Sequence, residues 1–154
     1  MVWAGVSATE KTPLIFIDKN VKIDAKTYQE QVLSKVVAPW KQRNVNGIFQ
    51  QGWAPAHGAK STVAFLDAHV PGYLAKDEWP SNSPDLNPLD FSVWGYLEEK
   101  SKIKKITILK KLQQELVKIW DDLDQNYLRR TIDSVIPRLK ACVKAKGGHF
   151  EQFL

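Results

Sequence analysis

The residues best placed to do chemistry lie between Trp79 and Trp94, in Trp-Pro-Ser-Asn-Ser-Pro-Asp-Leu-Asn-Pro-Leu-Asp-Phe-Ser-Val-Trp. The stretch opens as a proline-broken loop and closes as a helix. Asn87 suits the N-cap, where a side-chain oxygen accepts from a free amide of the first turn. Pro88 suits the first helical position, where no amide hydrogen is required. Asp90 then falls in the first turn, near the positive end of the helix dipole. The apolar stripe is Leu89, Val93 and Leu97 with Trp94 beside it, so Asp90 borders the face expected to be buried. A carboxylate there must be capped, paired or bound to a cation. Two roles compete: an acid of a capping box, which Glu fills better than Asp, or a metal ligand at a helix start.

A second feature is charge. Residues 1–99 carry nine Lys/Arg against eleven Asp/Glu, a balance of −2, and residues 100–154 carry thirteen against six, a balance of +7. Lys100, Lys102, Lys104, Lys105, Lys110 and Lys111 are the densest part. Such a segment attracts a phosphate backbone, and the same lysines would equally serve as a solvated linker and helix face. His57, in the loop Gly52-Trp53-Ala54-Pro55-Ala56-His57-Gly58, is the remaining group of interest.

The elements that must position these groups read as a mixed α/β arrangement. Met1–Ser7 and Pro13–Asp18 are apolar runs joined by a short polar link, which fits a hairpin. Asp24 caps a helix with Tyr28, Val32 or Leu33, Val36 and Trp40 at helical spacing, and Pro39 falls near its end. Ile48–Gln51 is expected as a third strand. A short helix turns Thr62, Val63, Leu66 and Val70 inward, and a fourth strand is expected near Tyr73–Ala75. Leu109, Leu112, Leu116, Ile119, Trp120 and Leu123 give the strongest periodicity in the chain, and Leu128, Ile132, Val135, Leu139 and Val143 repeat it. Pro137 must kink or divide that last helix, and Gly147-Gly148 ends it.

With 154 residues, 44% apolar residues and six Trp, the composition fits one globular domain rather than a disordered chain. No apolar run is long enough to span a bilayer. No secretory signal is visible, and Cys142, the single cysteine, can form no internal disulfide. Trp3, Trp94 and Trp120 read as core. None of the six Trp shows the basic-aromatic interleaving of a base-stacking surface.

Several motifs in combination resemble the catalytic domain of mariner-type transposases, of the DDE/DDD superfamily. Met1-Val2-Trp3-Ala4-Gly5-Val6-Ser7 is similar to that domain's second strand. Phe49-Gln50-Gln51 with Ala54-Pro55-Ala56-His57 is similar to the segment bearing the second catalytic acid. Trp79 to Asp90 is similar to the segment bearing the third, and Lys144-Ala145-Lys146-Gly147-Gly148-His149-Phe150 to the domain's end. The resemblance covers essentially the whole chain. It implies a ribonuclease-H-like mixed sheet flanked by helices, here with a helical C-terminal region, and a nuclear or otherwise intracellular location. It also implies three carboxylates that bind two divalent ions, usually magnesium, for DNA cleavage and strand transfer. Two cations holding the attacking and leaving oxygens supply that chemistry, and magnesium prefers hard oxygen ligands.

The departures matter more than the matches. The family has an acid directly after Phe-Gln-Gln; here that position is Gly52, and the glycine that usually follows is Trp53. Thirty-seven residues separate Gly52 from Asp90, a spacing that fits one mariner-type subgroup, so the register is kept while the acid is gone. Residues 1–154 therefore read as a DDE-type domain truncated at its N-terminus, without the first strand, the first acid or the helix-turn-helix region. Asp90 is then the remaining catalytic and metal-binding acid. Asp85 belongs to a turn, Asp18 ends the hairpin and Asp67 sits on a helix, so none is expected to compensate. His57 is either a group near the metals or a loop histidine bonded to backbone. Strands next to a missing one should present unpaired edges.

Three readings result. The first is an inactive transposase-derived domain with no bound magnesium and weak, non-specific DNA binding through the lysine cluster, or association with related transposase chains or a second copy. The second is an active metal-dependent transposase or endonuclease completed by a partner chain. The third is a structural or regulatory interaction module. No membrane partner is expected.

Overall fold

A computed structural model of the chain describes residues 1–102 and 106–154. The chain divides into two compact units, Met1–Trp3 with Ile15–Asn82 and Ala4–Leu14 with Ser83–Leu154.

In the first unit, β1 (Val2–Trp3) pairs antiparallel with β2 (Ile15–Phe16), Val2 opposite Phe16 and Trp3 opposite Ile15. The expected hairpin is therefore present, though each strand is two residues long. The third and fourth strands are a correction. Ile48–Gln51 and Tyr73–Ala75 shrink to one parallel bridge between Phe49 and Tyr73. Phe49 donates to the Gly72 carbonyl at 3.2 Å and accepts from Leu74 at 2.9 Å. Among the described residues no further strand pairs with this bridge, so the ladder does not propagate along either segment.

Asp24 caps the first helix as expected, its Oδ1 accepting from the Thr27 amide at 2.9 Å. That bond holds the Asp24 carboxyl below the usual carboxylate range. The helix runs in three consecutive stretches: α1 (Ala25–Tyr28), a π-helical stretch Gln29–Val37, and α2 (Ala38–Arg43). Pro39 does not end it. Pro39 sits at the start of α2, just after the wider π turns, where the Ala38 amide already reaches back five residues to Leu33. Lys41 closes the helix by donating to the carbonyls of Val45 (2.7 Å) and Gly47 (2.6 Å). Gly47 is required there, because a Cβ would lie 2.7 Å from the Trp40 ring. Helix α3 (Lys60–His69) turns Thr62, Leu66 and, just past its end, Val70 inward. The core joins Tyr28, Val32, Leu33, Val37, Leu66 and Val70, with Trp3, Phe49, Phe65 and Tyr73 packed against them.

In the second unit, a 3-10 turn (Pro84–Leu86) leads into a π-helical stretch, Leu89–Val93, and then α4 (Trp94–Lys102). Helices α5 (Leu109–Asp121), α6 (Gln125–Asp133) and α7 (Val135–Lys144) follow, then a 3-10 turn at Glu151–Phe153. Pro137 falls in the first turn of α7 because the helix is divided at Ser134. Within α7 the half-buried side is Val135, Arg138, Leu139 and Cys142, and Val143, expected inside, turns off it and is 77% exposed. Gly147 ends the chain's last long helix at φ +80°, its amide bonded to the Cys142 carbonyl. Val93, Leu97, Ile119, Trp120, Leu123 and Leu128 form this unit's core with Ala4, and Val6, Leu14, Trp94 and Tyr127 pack against it. Lys11 caps the C-terminal end of α5, donating to the carbonyls of Trp120, Asp121 (3.0 Å) and Leu123 (3.2 Å). The Trp120 indole returns a bond to the Thr12 carbonyl at 2.7 Å.

Candidate functional site

Asp90 and Gly52 belong to different units, and each is described within its own. Asn87 caps its helix as the sequence predicts. Its backbone is extended (φ −92°, ψ 116°), its carbonyl accepts from Asp90 (2.9 Å) and Phe91 (3.0 Å), and its Oδ1 accepts from Leu89 at 3.3 Å. The capping box takes a different form from the one expected. Asp90 Oδ2 accepts from the Asn87 side-chain amide at 2.8 Å, while the Asn87 backbone amide goes to the Pro84 carbonyl. Asp90 itself is exposed, beside half-buried Leu89 and one turn from buried Val93. Nearby protein raises the Asp90 carboxyl above the usual range by partial desolvation, against the lowering effect of the Asn87 bond. With the side chain open to water, that shift carries little stability.

Two contacts hold this segment from outside, and the sequence signalled neither. Arg138 of α7 donates to the Asp85 carbonyl at 2.7 Å and lays its guanidinium 3.8 Å from the centre of the Phe91 ring. The same nitrogen bonds Glu151 Oε1 at 3.0 Å. Ser92 shares a 2.6 Å bond with the Tyr127 hydroxyl. Arg138 lies fifty-three residues from Asp85, and nothing local marks the pairing.

At the second-acid position, Gly52 contributes a carbonyl and nothing more. His57 Nδ1 bonds that carbonyl, so Nδ1 carries the proton and Nε2 keeps its lone pair. The His57 ring stacks on Tyr28, centroids 4.2 Å apart. Desolvation pushes the His57 pKa down, and the bond to Gly52 opposes it. The Tyr28 hydroxyl donates to Gln51 Oε1 at 2.6 Å, and burial pushes its pKa far up. Gln51 is 6% exposed, and period-two alternation puts it on the face of Phe49. Gln50 Nε2, Gln51 Nε2 and Trp53 Nε1 are buried without partners among the described residues. Trp53 therefore packs inward. A Cβ built on Gly52 meets nothing within 4 Å.

Asp18 and Asp67 have local partners. Asp18 Oδ1 accepts from the Asn20 amide at 2.8 Å, and Asp67 Oδ1 from the Tyr73 hydroxyl at 2.7 Å. Among the described residues no group of three or more His, Cys, Asp or Glu is placed to hold a metal ion.

The lysine cluster is not uniform. Lys104 and Lys105 lie outside the described residues. Lys102 pairs with Glu98 at 2.7 Å, which lowers the Glu98 pKa, and Lys100 stands 5.6 Å over the Tyr96 ring. Lys110 and Lys111 are exposed in the first turn of α5. No helix of the described residues is long and apolar enough to cross a membrane.

No family model matches the chain. It is 30% identical over 149 residues to the Tcb1 transposase of a transposable element of Caenorhabditis briggsae, covering 96% of this chain and 52% of that protein. The chain spans about half the length of the curated relatives it matches. The crystal structure of the catalytic domain of Mos1 mariner transposase aligns at a TM-score of 0.76 over 98% of this chain and 82% of that one, at 18% identity. The same catalytic domain has been solved with magnesium and with manganese. A Mos1 paired-end complex with left transposon end aligns at 0.81 over 97% of this chain and 44% of that one, at 21% identity. These alignments bear out the expected ribonuclease-H-like fold in its overall form. By sequence this chain is similar to transposases of Caenorhabditis transposable elements, and by fold to the catalytic domain of the Mos1 mariner transposase.

Proposed function

We propose that this domain does not cut or join DNA, and that what it retains of its family's function is non-specific binding of DNA. The observation that carries this is Gly52. The position after Phe-Gln-Gln offers a carbonyl already bonded to His57 and no side-chain oxygen. That holds whatever precedes Met1 in the whole protein. The family's divalent ions need several hard oxygens in one cluster, and among the described residues no group of three or more His, Cys, Asp or Glu is placed to supply them. The donor set does not fit a pair of divalent ions, so no catalytic step is assigned to Asp90.

DNA as partner draws support from the +7 balance of residues 100–154 and from the Mos1 structure solved with a transposon end. On this reading the protein acts where DNA is, in the nucleus, alone, as a pair of copies, or beside related transposase chains. Purified protein incubated with supercoiled plasmid and either magnesium or manganese should produce no nicked circles above the buffer control. Nicking that disappears in Asp90→Ala would overturn the proposal.

A further inference from the structure

Resting on that reading, we infer that the DNA-binding surface is the outer face of α5, built on Lys110, Gln114 and Lys118 with Lys111 alongside, and that the lysines of α4 take little part. Lys110, Gln114 and Lys118 recur every four residues, so they stand in a row on one side of the helix. All are exposed. At a rise of about 1.5 Å per residue the row is about 12 Å long, the axial length of three to four phosphates of one DNA strand. None of Lys110, Lys111 and Lys118 makes an ion pair with a described residue. On α4, by contrast, Lys102 is neutralised by Glu98 and Lys100 lies over Tyr96.

Helix stability accounts for Lys118, in the last turn of α5, but not for Lys110 and Lys111. The first turn of α5 has no acidic residue, and its N-cap, Ile108, supplies no side-chain bond. Two cations at that end face the positive pole of the helix dipole, which disfavours them. They have neither an ion-pair partner among the described residues nor a stabilising position, so an external anion is what matches them. A row of cations with an amide between them suits a phosphate backbone, which is read by charge and spacing without base contacts. Asp121 bounds the row at its far end, beside Lys11.

The test is fluorescence anisotropy of the full chain with a labelled mixed-sequence DNA duplex across a salt series. Wild type should bind at low salt with a linear dependence of log affinity on log salt. Changing both Lys110→Ala and Lys118→Ala should reduce that slope by about 1.8, since each phosphate contact contributes about 0.9. Lys102→Ala should leave the slope unchanged, and Lys110→Arg with Lys118→Arg should retain it. The double alanine variant should melt close to wild type, since it removes a disfavoured cation from the first turn and a favoured one from the last. If wild type binds and the α5 alanine variant keeps its slope, this surface is wrong while DNA binding stands. The arginine variant losing the slope would also overturn the surface. If wild type fails to bind duplex at low salt, both readings fall. Capture by poly-glutamate with no binding to duplex would reassign the face to an acidic protein and overturn the DNA assignment.

Discussion

The two segments that carry the family's acid motifs are held by different physics. Around Gly52 the ties are buried or part-buried: Tyr28 to Gln51, His57 to the Gly52 carbonyl, and His57 stacked on Tyr28. Around Asp90 they are more exposed: the Asn87 cap, and Arg138 reaching from α7 to the Asp85 carbonyl and the Phe91 ring. The first segment has a glycine at the position where the resemblance expects an acid, on a tightly determined backbone. The second presents Asp90 on a side chain open to solvent. The shape of the Gly52 loop is thus set by its neighbours and not by a side chain at position 52.

The largest effect should come from the Asp90 side of this contrast. The Arg138 side chain is 15% exposed, while its partner Glu151 is 59% exposed. The bond to the Asp85 carbonyl and the stack on Phe91 should therefore matter more than the ion pair. Arg138→Met should cost about 2 kcal/mol, from a lost charged hydrogen bond and a lost cation–π contact. Lysine should restore less than half of it, since an ammonium cannot stack and bond as a planar fork does. Urea denaturation of the three proteins measures this. A loss under about 0.5 kcal/mol in the methionine variant would mean that the turn before Asp90 is held by its own prolines.

An intermediate effect should appear on the Gly52 side, as a dependence on pH. Desolvation depresses the folded-state pKa of His57 below 6.5, so the unfolded chain binds the proton more readily. Stability from the neutral ring is then full above about pH 6.5 and is lost as pH falls toward the folded value. Asp24 and Glu98, the depressed carboxylates, act in a lower window near and below their ordinary values, and so do not mask it. The difference between wild type and His57→Phe, followed by thermal melting from pH 7.5 to 5, should show a slope that only wild type has. Parallel curves would mean that the ring titrates as if in water.

Much of this contrast could be read in advance, and the part that could not shares one cause. Caps are local, so Asp24, Asn87 and Gly147 marked helix ends correctly, as did the apolar spacing that buried Trp120 and Leu128. The π-helical stretches Gln29–Val37 and Leu89–Val93 left no trace, because one extra residue per turn barely alters an apolar stripe over two turns. Lys11 on the end of α5 and Arg138 on the Pro84–Leu86 turn are pairings between distant residues, invisible to periodicity. The lysine cluster looked uniform for the same reason. Pairing of Lys102 with Glu98 is a helical neighbour effect, yet the exposure of Lys110 and Lys118 depends on which side of α5 meets the core.

The smallest effect is the sharpest test of whether the Gly52 loop is fixed by its surroundings. Gly52→Asp adds a Cβ that meets no atom within 4 Å, at a backbone angle outside the left-handed region where a side chain would be strained. The carbonyl bonded to His57 is backbone and survives the change. A side chain also restricts the unfolded chain, which offsets part of any new desolvation. The variant should therefore melt within the equivalent of about 0.5 kcal/mol of wild type, with the His57 pH slope intact. If Gly52→Asp instead unfolded the unit or erased that slope, the loop's shape would depend on the glycine itself. Its neighbours would then not be enough to set it.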